Sequence, residues 1–588
     1  MVNAALRFRI LIRILTIFWV LLGAVPGVAE ESAELEVRIE GLDGELEDNV
    51  RSLLSIAEAA SEEGTPDPRR IANLHDAARG EIARALQPFG HYRPEVDAEL
   101  ERRDSGWLAR YRVDPGPPVP VASVELRVAG EGRDQPEIRQ AVSDFPLAEG
   151  EPLSHPAYEE GKIAILEAAS GAGYLDAHYT SHTVRVDLES YRATVRLHLE
   201  TGPRYRFGEV SFEQEVLKPS FLAGYVPFEP GDPFEIDALL RLQAELSDGP
   251  YFRRVEVESL QEEADGQRVP VVVHLEPSKR RKFTFGAGYG TDTGARAQVG
   301  LELRRINRRG HRGELELEVS QLEQHLSASY LVPGAYPRTD LLALRAAYSD
   351  EDPETSRSRT AYLGAHYSHS RGGWREAVSL GYQRERYEVG VDSGTSDLLI
   401  PGASWSRVVA DDRIDPRRGY RVRFELRGGA EALLSDASFL QAVAAGKVVH
   451  GLGERNRVLA RLEVGYLATS DFRTLPPSVR FFAGGDQSVR GFDYRSIGRL
   501  DAEGNVIGGE RLLTASLEYE RRFLAHWGAA VFADAGSAGR TFGASPSVGV
   551  GAGARWHSPI GPIRADVAFA VSEEGNPVRL HLSVGPEL

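Results

Sequence analysis

From Lys282 to the end of the chain, apolar and polar residues alternate in one segment after another. Phe283, Phe285, Ala287 and Tyr289 alternate with Lys282, Thr284, Gly286, Gly288 and Gly290. Leu315, Leu317 and Val319 alternate with Glu314, Glu316 and Glu318. Val422, Phe424 and Leu426 sit between Arg421, Arg423, Glu425 and Arg427, and Ile563, Ala565, Val567 and Phe569 between Arg564, Asp566 and Ala568. Val578, Leu580, Leu582 and Val584 close the series. A period of two marks strands with one apolar and one polar face.

Two environments permit such strands. In a soluble sandwich the charged face meets water and the apolar face a shared core. In an outer-membrane barrel the apolar face meets lipid and the charged face lines the lumen. Sixteen strand candidates fit into 280–588, and a tilted membrane strand needs only about 9–11 residues. A closed barrel also pairs every backbone group in lipid, which an open sheet does not. The N-terminus favours the barrel. Arg7, Arg9 and Arg13 precede the apolar run Ile14 to Val25, and Gly27-Val28-Ala29 supplies small residues after it. This pattern predicts a secretory signal over 1–29, cleaved after Ala29; an uncleaved anchor helix is the other reading. An exported chain without Cys is held by burial and backbone pairing rather than disulfides. The formal net charge of -18 disfavours nucleic acid as a partner.

Between the signal and the barrel a small unit is repeated three times: a strand, two helical stretches, a Gly-Tyr corner, then two strands. The first unit opens with the alternating Glu34-Leu35-Glu36-Val37-Arg38-Ile39. Helices are expected over 45–62 and 67–87, separated at Pro66 and Pro68, with Asp67 capping the second. The corners are Phe89-Gly90-His91-Tyr92, Gly171-Ala172-Gly173-Tyr174 and Asp248-Gly249-Pro250-Tyr251-Phe252, and their aromatics are expected to plug each unit's own core. Pro- and Gly-rich joints at 113–118 and 199–204 punctuate the repeats. The expected domains are 30–116, 117–202 and 203–279, followed by a barrel over 280–588.

One segment breaks the alternation. Residues 469–509 hold many turn formers, yet carry aromatics and an Arg in Phe481-Phe482-Ala483-Gly484-Gly485-Asp486-Gln487-Ser488-Val489-Arg490-Gly491-Phe492. A loop this long inside compact structure is functional or disordered, and this composition is not that of a disordered segment. On the strands that follow, alternation puts Leu513, Ala515, Leu517 and Tyr519 on one face and Glu518 on the other. It likewise separates Val531, Ala533 and Ala535 from Asp534. A guanidinium inside a barrel needs a carboxylate with matching geometry, and Glu518 and Asp534 are inward-facing carboxylates. On its own, the tetrapeptide Val489-Arg490-Gly491-Phe492 favours Arg490 being one more lumenal charge. Gly549, Gly551 and Gly553 share one face and would leave room for the loop.

The repeated unit resembles the POTRA domain, and Val489-Arg490-Gly491-Phe492 resembles the signature loop of the BamA/TamA family of outer-membrane POTRA-barrel assembly factors. The resemblance covers nearly the whole chain after the signal. It implies α+β POTRA repeats followed by a 16-stranded antiparallel transmembrane β-barrel in a bacterial outer membrane, with the POTRA units in the periplasm. It implies that the loop folds into the lumen and that Arg490 pairs with Asp534 and Glu518. It further implies a lateral gate between the first and last barrel strands, carried by Phe283, Phe285, Gly286 and Gly288 on one side and Leu580 and Leu582 on the other. The implied partners are a TamB-like inner-membrane protein, unfolded outer-membrane protein clients and outer-membrane lipid. Three units and the ending Val584-Gly585-Pro586-Glu587-Leu588 are most similar to the translocation-and-assembly-module branch of the family. The last strand departs from the pattern by lacking a terminal aromatic. A polypeptide-export pore of the two-partner type, or the terminus of a lipid-transfer bridge, is the alternative.

Other motifs are weak. His366 and His369 are three apart on a strand and point to opposite faces, which does not suit a shared metal. Gly286-Ala287-Gly288-Tyr289-Gly290 lies on a strand without the helix or Lys of a phosphate loop. Neither HExxH nor GxSxG occurs, so neither an enzyme nor a cofactor is expected.

Overall fold

A computed structural model describes residues 34–584 apart from 63–66, 105, 291–293, 413, 544, 559 and 560. The expected signal segment and the last four residues lie outside the described residues. The chain divides into two compact units. One runs to Phe207 and takes in Gly231–Ile236 and Ala264–Val269. The other comprises Gly208–Pro230, Asp237–Glu263 and Pro270–Leu588.

Three three-stranded sheets precede the barrel. The first holds β1 (Glu34–Glu40), β2 (Glu95–Arg103) and β3 (Gly106–Asp114) in the order β1-β3-β2. β1 runs parallel to β3 with Leu35 opposite Trp107, and β2 runs antiparallel to it. Leu35, Val50, Ile71, Ile82, Leu86 and Tyr111 form the core between this sheet and its helices. Asp67 caps the helix Pro68–Leu86, accepting a hydrogen bond from the Arg69 N–H at 2.7 Å. The single helix expected over 45–62 is two, Gly44–Leu53 and Ser55–Ser61, because Leu54 adopts an extended backbone between them. Buried Leu54 is held in the core, and the Glu81 carboxylate accepts from the Ser55 N–H at 2.9 Å and caps the second piece. The next sheets repeat the topology: β4 (Val121–Ala129), β5 (His178–Asp187) and β6 (Arg192–Glu200) in the order β4-β6-β5, then β7 (Arg206–Glu213), β8 (Phe252–Ser259) and β9 (Arg268–Pro277) in the order β7-β9-β8.

The corner tyrosines do more than plug their own units. Tyr174 is buried, whereas Tyr92 packs on the following unit's cluster around Val119 and Leu153. The Tyr251 hydroxyl donates to the Gly310 carbonyl at 2.5 Å, in a turn between barrel strands. Nearby, the Lys218 N–H donates to Arg308 O at 2.8 Å and Arg338 pairs with Glu245 at 2.9 Å. These contacts lie within one compact unit, so most of the third repeat is built onto the barrel and is not a free-standing module.

The barrel sheet has sixteen strands in chain order. They are β10 (Arg281–Gly290), β11 (Gly294–Leu303), β12 (Arg312–Ser320), β13 (Glu323–Pro333), β14 (Leu341–Glu351), β15 (Ser356–Arg371), β16 (Trp374–Val389), β17 (Asp392–Ala410), β18 (Arg418–Gly429), β19 (Phe439–Leu452) and β20 (Asn456–Thr469), then β23 (Arg511–Arg522), β24 (Trp527–Gly539), β25 (Ser547–Ser558), β26 (Gly561–Ala570) and β27 (Val578–Val584). β21 (Arg499–Leu500) and β22 (Val506–Gly508) form a separate small ladder inside the long loop. All barrel neighbours are antiparallel. Leu315, Leu317 and Val319 face outward and are exposed, which suits a lipid-facing band. Trp374, Trp527 and Trp556 all lie at the end where β10 starts, and the last two stack at 6.2 Å. Amphipathic rings gather at a membrane interface in this way.

Candidate functional site: the lumenal loop and the terminal strands

The segment between β20 and β23 turns back into the barrel and builds a core there. Phe472, Leu475, Val479, Phe481, Val489, Phe492, Ile497 and Ile507 pack with Tyr387, Val389, Leu398, Ile400 and Phe439 of β16, β17 and β19. Arg480 stands inside this core. Its guanidinium donates to the carbonyls of Leu475 at 2.8 Å, Arg473 at 3.0 Å and Ile507 at 3.1 Å, tying the start of the loop to its end. Sequence reasoning missed Arg480 because the loop has no periodicity to show which of its arginines turns inward.

Arg490 is at the tip. Its Nε donates to Asp534 Oδ2 at 2.7 Å, Nη2 to Asp534 Oδ1 at 3.0 Å, and its backbone N–H to Asp534 Oδ2 at 3.1 Å. Nη1 donates to Glu518 at 2.7 Å and to Asp566 at 2.9 Å. The guanidinium lies over the Phe532 ring, 3.4 Å from its centroid. The structure therefore brings both expected carboxylates to Arg490 and adds a third. Asp566 and Glu518 are also bonded by the buried Arg555 of β25. Two guanidiniums and three carboxylates, all buried, make a network in which each charge has an opposite neighbour; breaking such a pair on one side costs about 3–5 kcal/mol.

Gly491 has φ +98°, and a Cβ there would meet the backbone of Phe569 and Ala570 at 3.1–3.4 Å, so the loop backbone lies directly on β26. Its N–H donates to His581 Nε2 at 2.9 Å, and His581 Nδ1 faces the Asp486 carboxylate. Arg579 pairs with Asp493. The loop is thus joined to β23, β24, β26 and β27. Val489 is wholly buried and Phe492 nearly so in the loop core.

Among the candidate gate residues, Phe283 and Phe285 of β10 and Leu580 of β27 are exposed on the outer surface. Gly286 and Gly288 face the lumen. β10 and β27 stand at opposite ends of the sheet order and lie against one another. A lumenal cavity of about 1000 Å³ is bounded by Gly286, Gly288 and Tyr289 on one strand, by Leu582 and Val584 on the other, and by the loop residues Phe482, Gln487 and Tyr494. The cavity also reaches Glu318 of β12, Glu351 of β14, Glu385 of β16 and Glu463 of β20, so it runs along the loop across the lumen as far as the terminal strands.

A second ionic group lies next to the first, two residues further along β23 and β25. Arg457 bonds Glu520 and Asp415, Arg522 bonds Asp415, and His557 lies 2.9 Å from Glu520. His366 and His369 have separate partners, Tyr362 and Asp340.

Fold and site define an outer-membrane β-barrel with small α/β units before it and an ion-paired loop inside it. Residues 306–587 match the family described as "Omp85 superfamily domain", and residues 36–115 match "POTRA domain TamA domain 1". The barrel region is thus similar to the Omp85 superfamily domain and the first small unit to a POTRA domain, with the POTRA region on the periplasmic side of the outer membrane. It is 24% identical over 367 residues to the outer membrane protein assembly factor BamA of Nitratidesulfovibrio vulgaris, a match covering 58% of this chain and 46% of that protein. The chain thus spans about half the length of that curated relative. In structure it is similar to BamA from Haemophilus ducreyi lacking POTRA domains 1-3, with TM-score 0.67 and 17% identity over 79% of this chain and 99% of the other; that likeness is one of fold. CdiB from Acinetobacter baumannii is more distant, with TM-score 0.46 and 14% identity over 80% of this chain and 90% of that one.

Proposed function

We propose that the protein is a TamA-like assembly factor that inserts or exports β-rich client polypeptides through the seam between β10 and β27. The observation that carries this reading is the cavity bounded by both terminal strands. A client segment held there lies beside two strands whose outer edges, once parted, offer unpaired N–H and C=O groups. Such edges template an incoming strand by backbone pairing alone, without bond chemistry. The β10 side is thin, since Gly286 and Gly288 carry no side chain to pack against a neighbour. The match of 36–115 to a TamA POTRA domain supports a TamB-like inner-membrane partner for the periplasmic units. Passage straight down the lumen, as in a two-partner export pore, would have to displace the loop's apolar core, so the sideways route is favoured.

The test uses the absence of Cys. A disulfide is introduced between an outward-facing residue of β10 and one of β27, and client assembly is followed in oxidised and reduced states. Assembly is expected to stop when the bridge forms and to resume on reduction. Undiminished assembly with the bridge fully formed would remove the seam from the mechanism.

A further inference from the structure

We infer that the loop and β27 form one mechanical body, latched by His581 and Arg579, so that the seam parts by movement of β10. This rests on the seam reading above and adds which lip moves. The two lips are held very differently. β27 is paired to β26 along Val578–Val584, and two of its lumenal side chains are engaged by the loop. His581 is buried and accepts from the Gly491 N–H through Nε2 at 2.9 Å. That bond requires a bare Nε2, which puts the ring proton on Nδ1, facing Asp486. Arg579 engages Asp493 through both Nη atoms, a forked geometry that fixes direction as well as distance. Across β26, Asp566 is the direct neighbour of His581 and is bonded to Arg490. The latch is therefore continuous with the buried ionic network.

Among the described residues β10 shows no equivalent tie to the loop: Gly286 and Gly288 hold no side chain, the nearest atoms to them belong to Gln298 and Arg296 of β11, and Lys282 on the same face lies 3.9 Å from Glu302 of β11. The cavity lies between these glycines and the loop. Displacing β10 disturbs its pairing with β11, whereas displacing β27 breaks an ion pair, a buried backbone hydrogen bond and the β26 ladder together. The lower-cost movement is that of β10.

The experiment uses full-length protein in liposomes with spin labels on introduced cysteines. One pair, Phe285→Cys with Leu580→Cys, spans the seam. The other, Gln487→Cys with Leu580→Cys, joins loop to β27. When an unfolded outer-membrane protein is added, the seam pair is expected to broaden while the loop pair keeps its narrow distribution. Adding His581→Ala and Arg579→Ala is expected to broaden the loop pair, and His581→Gln, whose amide oxygen can accept from the Gly491 N–H, to narrow it again relative to His581→Ala. A loop pair that broadens together with the seam in the unmutated latch overturns the inference, as does one indifferent to the double substitution. A seam pair that stays narrow while clients are assembled overturns the seam reading instead, and the loop pair with and without His581→Ala still judges the latch.

Discussion

A methyl group on Gly549 would stand 1.9 Å from the carbonyl oxygen of Arg490. Gly549 is also the cross-strand neighbour of Asp534, which holds the Arg490 guanidinium. Wall and loop are therefore in backbone contact at the point where the ion pair forms, and the pair needs that approach.

Gly549→Ala should lift the loop tip off the wall and release Arg490 from Asp534. We expect a barrel that unfolds at lower temperature in heat-modifiable gel mobility and a loop open to protease. Gly446→Ala is the control, because the nearest heavy atom to a Cβ there is 4.0 Å away. Equal effects at the two positions would remove steric displacement as the cause.

Arg490→Ala leaves Glu518 and Asp566 to Arg555 and Asp534 to the Ser516 hydroxyl, an uncompensated buried charge worth about 3–5 kcal/mol. Arg490→Lys is expected to recover little, because an ammonium cannot reproduce the fork that reaches Asp534 and Glu518 together. Asp534→Asn should free the loop tip more than Glu518→Gln, since Asp534 takes three bonds from Arg490, one of them from its backbone N–H, whereas Glu518 takes one from Arg490 and two from Arg555. Protease access to the loop and thermal unfolding of the four variants in detergent order them.

How much of this was legible in the sequence depended on distance along the chain. A period of two sets the face of a residue, so Glu518 and Asp534 could be placed inward from their own strands. The same alternation puts Asp566, Arg555 and His581 inward as well. Which inward residue lies level with Arg490 depends on the stagger accumulated across β23 to β27 and on the path of the loop, neither of which any local pattern carries. The joints between the small units were hidden for a related reason. The Gly-Tyr corners repeat visibly, but that Tyr92 packs on the next unit and Tyr251 on a barrel turn follows from how consecutive units stack.

Arg480→Met tests whether the loop is organised from within. The substitution keeps much of the buried stem but leaves the carbonyls of Arg473, Leu475 and Ile507 without this donor, at about 1–3 kcal/mol for each that stays unpaired. We expect proteolysis within 470–510 to accelerate while the barrel strands keep their amide protection. Loss of protection throughout the barrel would mean that the loop core supports the wall more than the loop.

A pH dependence is expected in the first small unit. Burial holds His75 below its ordinary pKa, with Asp76 opposing and Arg79 adding to the shift; its Nδ1 lies 3.0 Å from the Tyr111 hydroxyl. A group whose folded pKa is depressed binds its proton more readily when unfolded, so its contribution to stability is complete above the unfolded value of about 6.5 and declines as pH falls through the folded value. Amide exchange in the helix Pro68–Leu86 of the full-length protein should therefore accelerate between pH 7.5 and pH 5 beyond the intrinsic pH effect on exchange. His75→Gln, which cannot titrate, should flatten that added dependence. An identical pH response in both proteins would assign the acid sensitivity to other groups.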